Sequence, residues 1–137
     1  MKPDFATHFL RGIDHFNQLE FWEAHEAWEE LWLAASTDIE QYLQGLIQLA
    51  AAYHHVRRGT LRGAVRLFDA ALRRLAPFPP GLCGLDRGEA EKAARLHRDW
   101  AAGVLARASG ESLSERDYPK LRRIRDDAPL VPPNENW

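Results

Sequence analysis

Residues 41–56 read QYLQGLIQLAAAYHHV, sixteen consecutive positions without Asp, Glu, Lys or Arg in a 137-residue chain that is 28% charged. A run of this kind predicts a central, buried helix. It is shorter than the ~18 apolar residues that would suggest a membrane span. Its few polar residues carry the information, because a buried amide or imidazole without a partner costs about 1–3 kcal/mol. Gln44, Gln48 and His55 therefore need partners.

Upstream, Phe5, Phe9, Ile13 and Phe16 recur at helical spacing and predict a first helix over about residues 4–16. Asn17 stands three before Glu20, an arrangement like a capping box, with Phe16 and Phe21 placed to form a hydrophobic staple at the start of a second helix. That helix buries Phe21, Ala24, Trp28, Leu31 and Ala35 and leaves Glu23, Glu26 and Glu30 wet. Thr37 with Glu40 forms a second capping box opening the central helix, and Gly59 ends it. Leu61, Ala64, Val65, Phe68, Leu72 and Leu75 make a fourth helix with Arg62, Arg66, Asp69 and Arg73 outside. A Pro- and Gly-rich loop over 77–88 follows, in which Asp86 is placed to cap a fifth helix over about residues 87–108 that buries Ala93, Leu96, Trp100 and Val104.

No strand pattern and no internal repeat is visible. The expected fold is all-α: a compact antiparallel bundle of about five helices. It occupies residues 1–110, with a polar, Pro-containing tail over 111–137 that packs on the same domain or trails from it as an extended segment with a short turn near Leu121.

The chain length suits one core, and 45% hydrophobic residues with five Trp and six Phe are those of a folded protein. One cysteine, Cys83, excludes an internal disulfide and favours a reducing compartment. With no signal-peptide pattern at the start, the expectation is a cytoplasmic protein without membrane contact. Charge is uneven: residues 1–56 hold nine acids and two bases, a balance of −7, whereas residues 57–128 hold sixteen bases and ten acids, a balance of +6. The expected partners of the arginines are the glutamates of the second helix, within the molecule or in a second copy, rather than nucleic acid, for which no motif is present.

At ~100° per residue, His25, Glu29 and Trp32 share one stripe of the second helix, which Trp22 extends. Gln44, Gln48, Ala51 and His55 share another on the third. If the stripes face each other, His25, Glu29 and His55 converge beside two amides. Two imidazoles and a carboxylate are a three-ligand set for a divalent metal ion with an open position. HEAWE at 25–29 lacks the second histidine of a zinc-protease HExxH. The same residues equally describe a metal-free ligand pocket, a satisfied structural network, or a face buried in a homo-oligomer. His54 and His97 read as ordinary helix surface or boundary positions, Cys83 as unreactive, and Trp22, Trp28 and Trp32 as core side chains or pocket lining.

FNQLEFWEAHEAWEELW at 16–32, with its HxxxExxW pattern, and YLQGLIQLAAAYHHVRRG at 42–59, followed by Gly63 and Ala64, resemble the family of small bacterial and archaeal proteins called domain of unknown function 309. The resemblance extends from Phe16 to about Leu75. It implies a compact helical domain and a motif associated with metal binding but with no established activity. Its characteristic residues fall on His25, Glu29, Trp32, Gln44, Gly45, Gln48, His55 and Gly59. Leu19 stands where the family usually has a turn glycine, and Thr60 where it has asparagine. Two function classes follow: a binding or hydrolytic site on His25, Glu29 and His55, or a non-enzymatic helical interaction module.

Overall fold

The structure, a computed structural model, describes residues 2–137 except the side chain of Thr37. Five helices make up most of it: α1 (Phe5–Asn17), α2 (Phe21–Ala34), α3 (Thr37–Arg58), α4 (Leu61–Leu75) and α5 (Gly88–Arg107). Each packs on the next in sequence, so the chain is the all-α bundle its periodicity predicts. Local chemistry sets the boundaries. The Asp4 carboxylate accepts from the Thr7 N–H at 3.0 Å and caps α1. Gly59, at φ 76°, ends α3 in the left-handed conformation that costs glycine nothing. In the α1–α2 turn Leu19 takes φ 64°. A non-glycine residue there is strained, so the backbone asks for the glycine the sequence lacks.

The inner face of α3 forms the core, with Tyr42, Leu43, Leu46, Leu49, Ala50 and Tyr53 fully buried. From α1, Phe9 stacks on Tyr42 and Phe16 meets the Tyr53 ring edge-on. The predicted staple is present as an edge-to-face pair of Phe16 and Phe21 with centroids 5.0 Å apart. Trp28 lies across Gly12, where any side chain would overlap its ring, and donates its indole N–H to the Phe9 carbonyl at 3.2 Å.

Several local expectations are corrected. Asn17 does not cap α2. It closes α1, and its amide exchanges two 2.8 Å hydrogen bonds with the backbone of Leu121, while Glu20 occupies the N-cap position without a side-chain bond to the first turn of α2. Ser36, not Thr37, precedes the first turn of α3; the Thr37 half of the expected capping box lies outside the described residues. The α5 face is rotated from the predicted one. Ala90, Ala94, Ala101 and Val104 are buried, whereas Leu96 is 65% exposed, because α5 approaches closely on its alanines rather than on its largest apolar side chains. A pair of two-residue antiparallel strands, β1 (Leu85–Asp86) and β2 (Arg122–Arg123), joins the loop before α5 to the tail. Two residues are too few to show a period.

Tail residues Tyr118, Leu121, Leu130 and Trp137 enter the same apolar cluster as the helices. Trp137 meets Phe5 edge-on, and its carbonyl accepts from the Ser36 N–H at the start of α3. Arg87 is the buried charged side chain among the described residues. Its guanidinium donates to the carbonyls of Leu75, Phe78 and Pro79 and to Glu91, and it lies over the Tyr42 ring. It thereby satisfies carbonyls that α4 leaves open at its C-terminal end. No described helix is long and apolar enough to cross a membrane.

Candidate functional site

Helices α2, α3 and α4 lie side by side with α3 between the other two. The polar strip of α3, Gln44, Gln48, Ala51 and His55, is half-buried and runs along the outer side of this layer. Its two edges have different neighbours. Toward α4, the Gln48 carbonyl oxygen accepts from Arg74 Nε at 3.1 Å, and Gln41 accepts from the same guanidinium. His55 packs against Gly63. The Thr60 hydroxyl donates to the His55 carbonyl at 3.2 Å and lies 2.6 Å from its Nδ1. With the hydroxyl proton so engaged, Nδ1 is the donor of that second bond. Thr60, a departure from the family pattern, thus anchors the ring.

Toward α2 the contact is made by His54. Trp22 lies with its ring 4.6 Å from that of His25 on one side and 5.2 Å from that of His54 on the other. His54, which the sequence places at the helix surface or boundary, thus lies at the boundary, in the α2–α3 seam. Partial burial, then the neighbouring Arg58 and His55, hold its imidazole below the usual histidine range, against the opposing pull of Glu23. Trp22 is 47% exposed and with His54 and Arg58 lines an open depression of about 310 Å³. A neighbouring one of about 360 Å³ adds Leu19, Glu20, Phe21, Glu23 and Arg57.

His25 Nε2 lies 3.1 Å from Glu29 Oε2. In the tautomer that carries its proton on Nε2, Nδ1 is the acceptor of the ring. Nδ1 is buried and has no partner, and neither has the buried Nε1–H of Trp32, seven residues along the same stripe. Native interiors leave few such groups. Among the described residues Gln44 also makes no side-chain hydrogen bond.

The structure thus pairs His25 with Glu29 but gives Gln48 to Arg74 and His55 to Thr60; neither bonds to His25 or Glu29. The strip lies between two helices, and α4 takes the half that the sequence reading had assigned to α2. Among the described residues no three His, Cys, Asp or Glu side chains gather where a metal ion could be held. Glu29 spends its oxygen on the far nitrogen of His25, so it orients that ring rather than adding a second donor beside Nδ1. Cys83 is buried with its thiol pushed up to about 12, first by burial. His97, also expected at the surface or boundary, is half-buried and lies 2.8 Å from Tyr53 Oη. Burial keeps the Tyr53 hydroxyl protonated and lowers the affinity of His97 for a proton, so the hydroxyl donates to the ring.

Fold and site together define a small all-helical domain with a half-open polar seam between its second and third helices. The family model described as Domain of unknown function (DUF309) matches residues 9–67, from α1 into α4, and over that span the chain is similar to this family. Comparison with curated proteins and with solved structures gives no match.

Proposed function

We propose that the α2–α3 seam is a binding site for a small polar ligand that offers both a hydrogen-bond donor and an acceptor. The observation that supports it is the pair of buried, unpartnered atoms on one stripe of α2: His25 Nδ1, an acceptor in the tautomer protonated at Nε2, and Trp32 Nε1, a donor. They lie about 10 Å apart along the helix axis, with Glu29 fixing the first ring and the unbonded Gln44 amide on the facing helix. Trp22 supplies a flat apolar wall at the open end. A divalent metal ion fits this donor set less well, since one imidazole lone pair is available where three ligands are needed.

Thermal-shift screening of the full chain against small carboxylates, amides and nucleobases tests the reading, with zinc, manganese and iron titrations alongside. A ligand present at 100 times its Kd stabilises the folded state by about 2.7 kcal/mol. That gain should disappear in both His25→Phe and Trp32→Phe. A ligand whose stabilisation survives both changes would place the binding site elsewhere, and stoichiometric metal lost with His25 would restore the metal reading.

The other reading, an interaction module whose polar residues are architectural, draws on the opposite edge of α3. There Gln48, Gln41 and His55 already have partners within the helix packing.

A further inference from the structure

Several charged residues flanking α3 have no ion-pair partner among the described residues. Helix α2 carries four glutamates and no base, and α4 carries four arginines and one aspartate. The sequence suggests that these sets neutralise each other, but α3 lies between them and, among the described residues, no ion pair joins them. Asp69 is bound by Arg98 of α5 at 2.8 Å, and Arg74 by Gln48 and Gln41. Glu23 and Glu26 on α2 and Arg62, Arg66 and Arg73 on α4 are exposed, and none of them takes part in an ion pair among the described residues. Between the two rows runs the uncharged strip Gln44, Gln48, Ala51 and His55. Leu33, 73% exposed, and Trp22 are the large apolar side chains that α2 leaves open.

We infer that a second copy of this chain docks on the α2–α3–α4 layer, forming a two-fold dimer. Symmetry and charge decide how. A face-to-face pair related by an axis across the helices would set α2 on α2 and α4 on α4, acid against acid and base against base, which disfavours that arrangement. An axis running along α3 sets α2 of each copy on α4 of the other, and the uncharged strips meet in the middle. The layer is then complementary to itself, as an isologous interface must be. The layer is about 20 Å long, the length of α2 or α4, and about 30 Å wide. That is roughly 600 Å² before relief is counted, near the ~800 Å² per partner of a specific interface. This inference does not rest on the ligand reading.

Sedimentation equilibrium of the full chain without added ligand tests it, with helicity monitored by circular dichroism. Twice the chain mass is expected at low salt, moving toward the single-chain mass in molar salt as charge pairing is screened. Glu23→Arg with Glu26→Arg, and separately Arg62→Glu with Arg66→Glu, should each give a monomer. Mixing those two folded monomers should give a heterodimer, because each then offers the complement of the other on both sides of the axis. A monomeric wild type, a dimer indifferent to either reversal, or reversed chains that fail to pair when mixed would each overturn the proposal. So would a wild type that purifies with nucleic acid on the arginine row in place of a second copy.

Discussion

On its inner face α3 carries Tyr42, Leu46, Leu49 and Tyr53, fully enclosed; on its outer face it carries Gln44, Gln48, Ala51 and His55, half open. Neither face holds a charge, and the sequence shows one uncharged run. The inner face lacks charges because a packed core excludes them. The outer face lacks them although solvent would tolerate them there. One region is thus explained by folding, and the other points to something that approaches from outside.

The sharpest way to break the contrast is to remove equal bulk from both faces. Leu46→Ala should cost about 2–5 kcal/mol in urea denaturation, whereas Gln44→Ala, which removes no hydrogen bond within the chain, should change stability by less than about 0.5 kcal/mol. Comparable losses at the two positions would mean that the outer strip belongs to the core. A smaller effect is expected from Tyr53→Phe, which leaves the half-buried His97 ring without its donor: about 1–3 kcal/mol.

The pH dependence sharpens the inner side further. His97 binds a proton less readily in the folded chain than unfolded, through burial first, with Asp117 opposing. Protonation therefore favours the unfolded state. The contribution of a neutral His97 is complete above its unfolded value of about 6.5 and is lost as pH falls below that toward the lowered folded value. The loss in wild-type stability between pH 7 and pH 5 should shrink in His97→Gln, which keeps an acceptor for Tyr53. If wild type and variant followed parallel pH profiles, the ring would not be responsible. Smaller than the Tyr53 effect, Gln48→Ala gives up a hydrogen bond to Arg74 at a partly wet site and should cost about 1 kcal/mol or less, measured in the same denaturation experiment.

Much of the fold was legible because α1 to α4 bury large apolar side chains at a regular 3.6-residue period. Helix α5 was legible in extent but not in orientation: its packing face is built of alanines, and the reading followed Leu96 instead. Arg87 gave no signal, since its value lies in carbonyls that become available only once α4 has ended nearby. For the site, the sequence singled out His25, Glu29 and Trp32 as a stripe but missed His54. Adjacent residues on a helix diverge by about 100°, so whether His54 or His55 meets α2 depends on which side of α3 each flanking helix takes. Periodicity alone does not decide that.

The clasp between the tail and the first helices also orders the steps by which the molecule is made. The pairs α1–α2 and α3–α4 join neighbours in sequence and can close while synthesis continues. The bonds from Asn17 to Leu121 span 104 residues, and those of Trp137 to Phe5 and Ser36 wait for the last part of the chain. Contacts of such long range form late. The N-terminal turn of α3 thus receives its partner carbonyl only once Trp137 has been made.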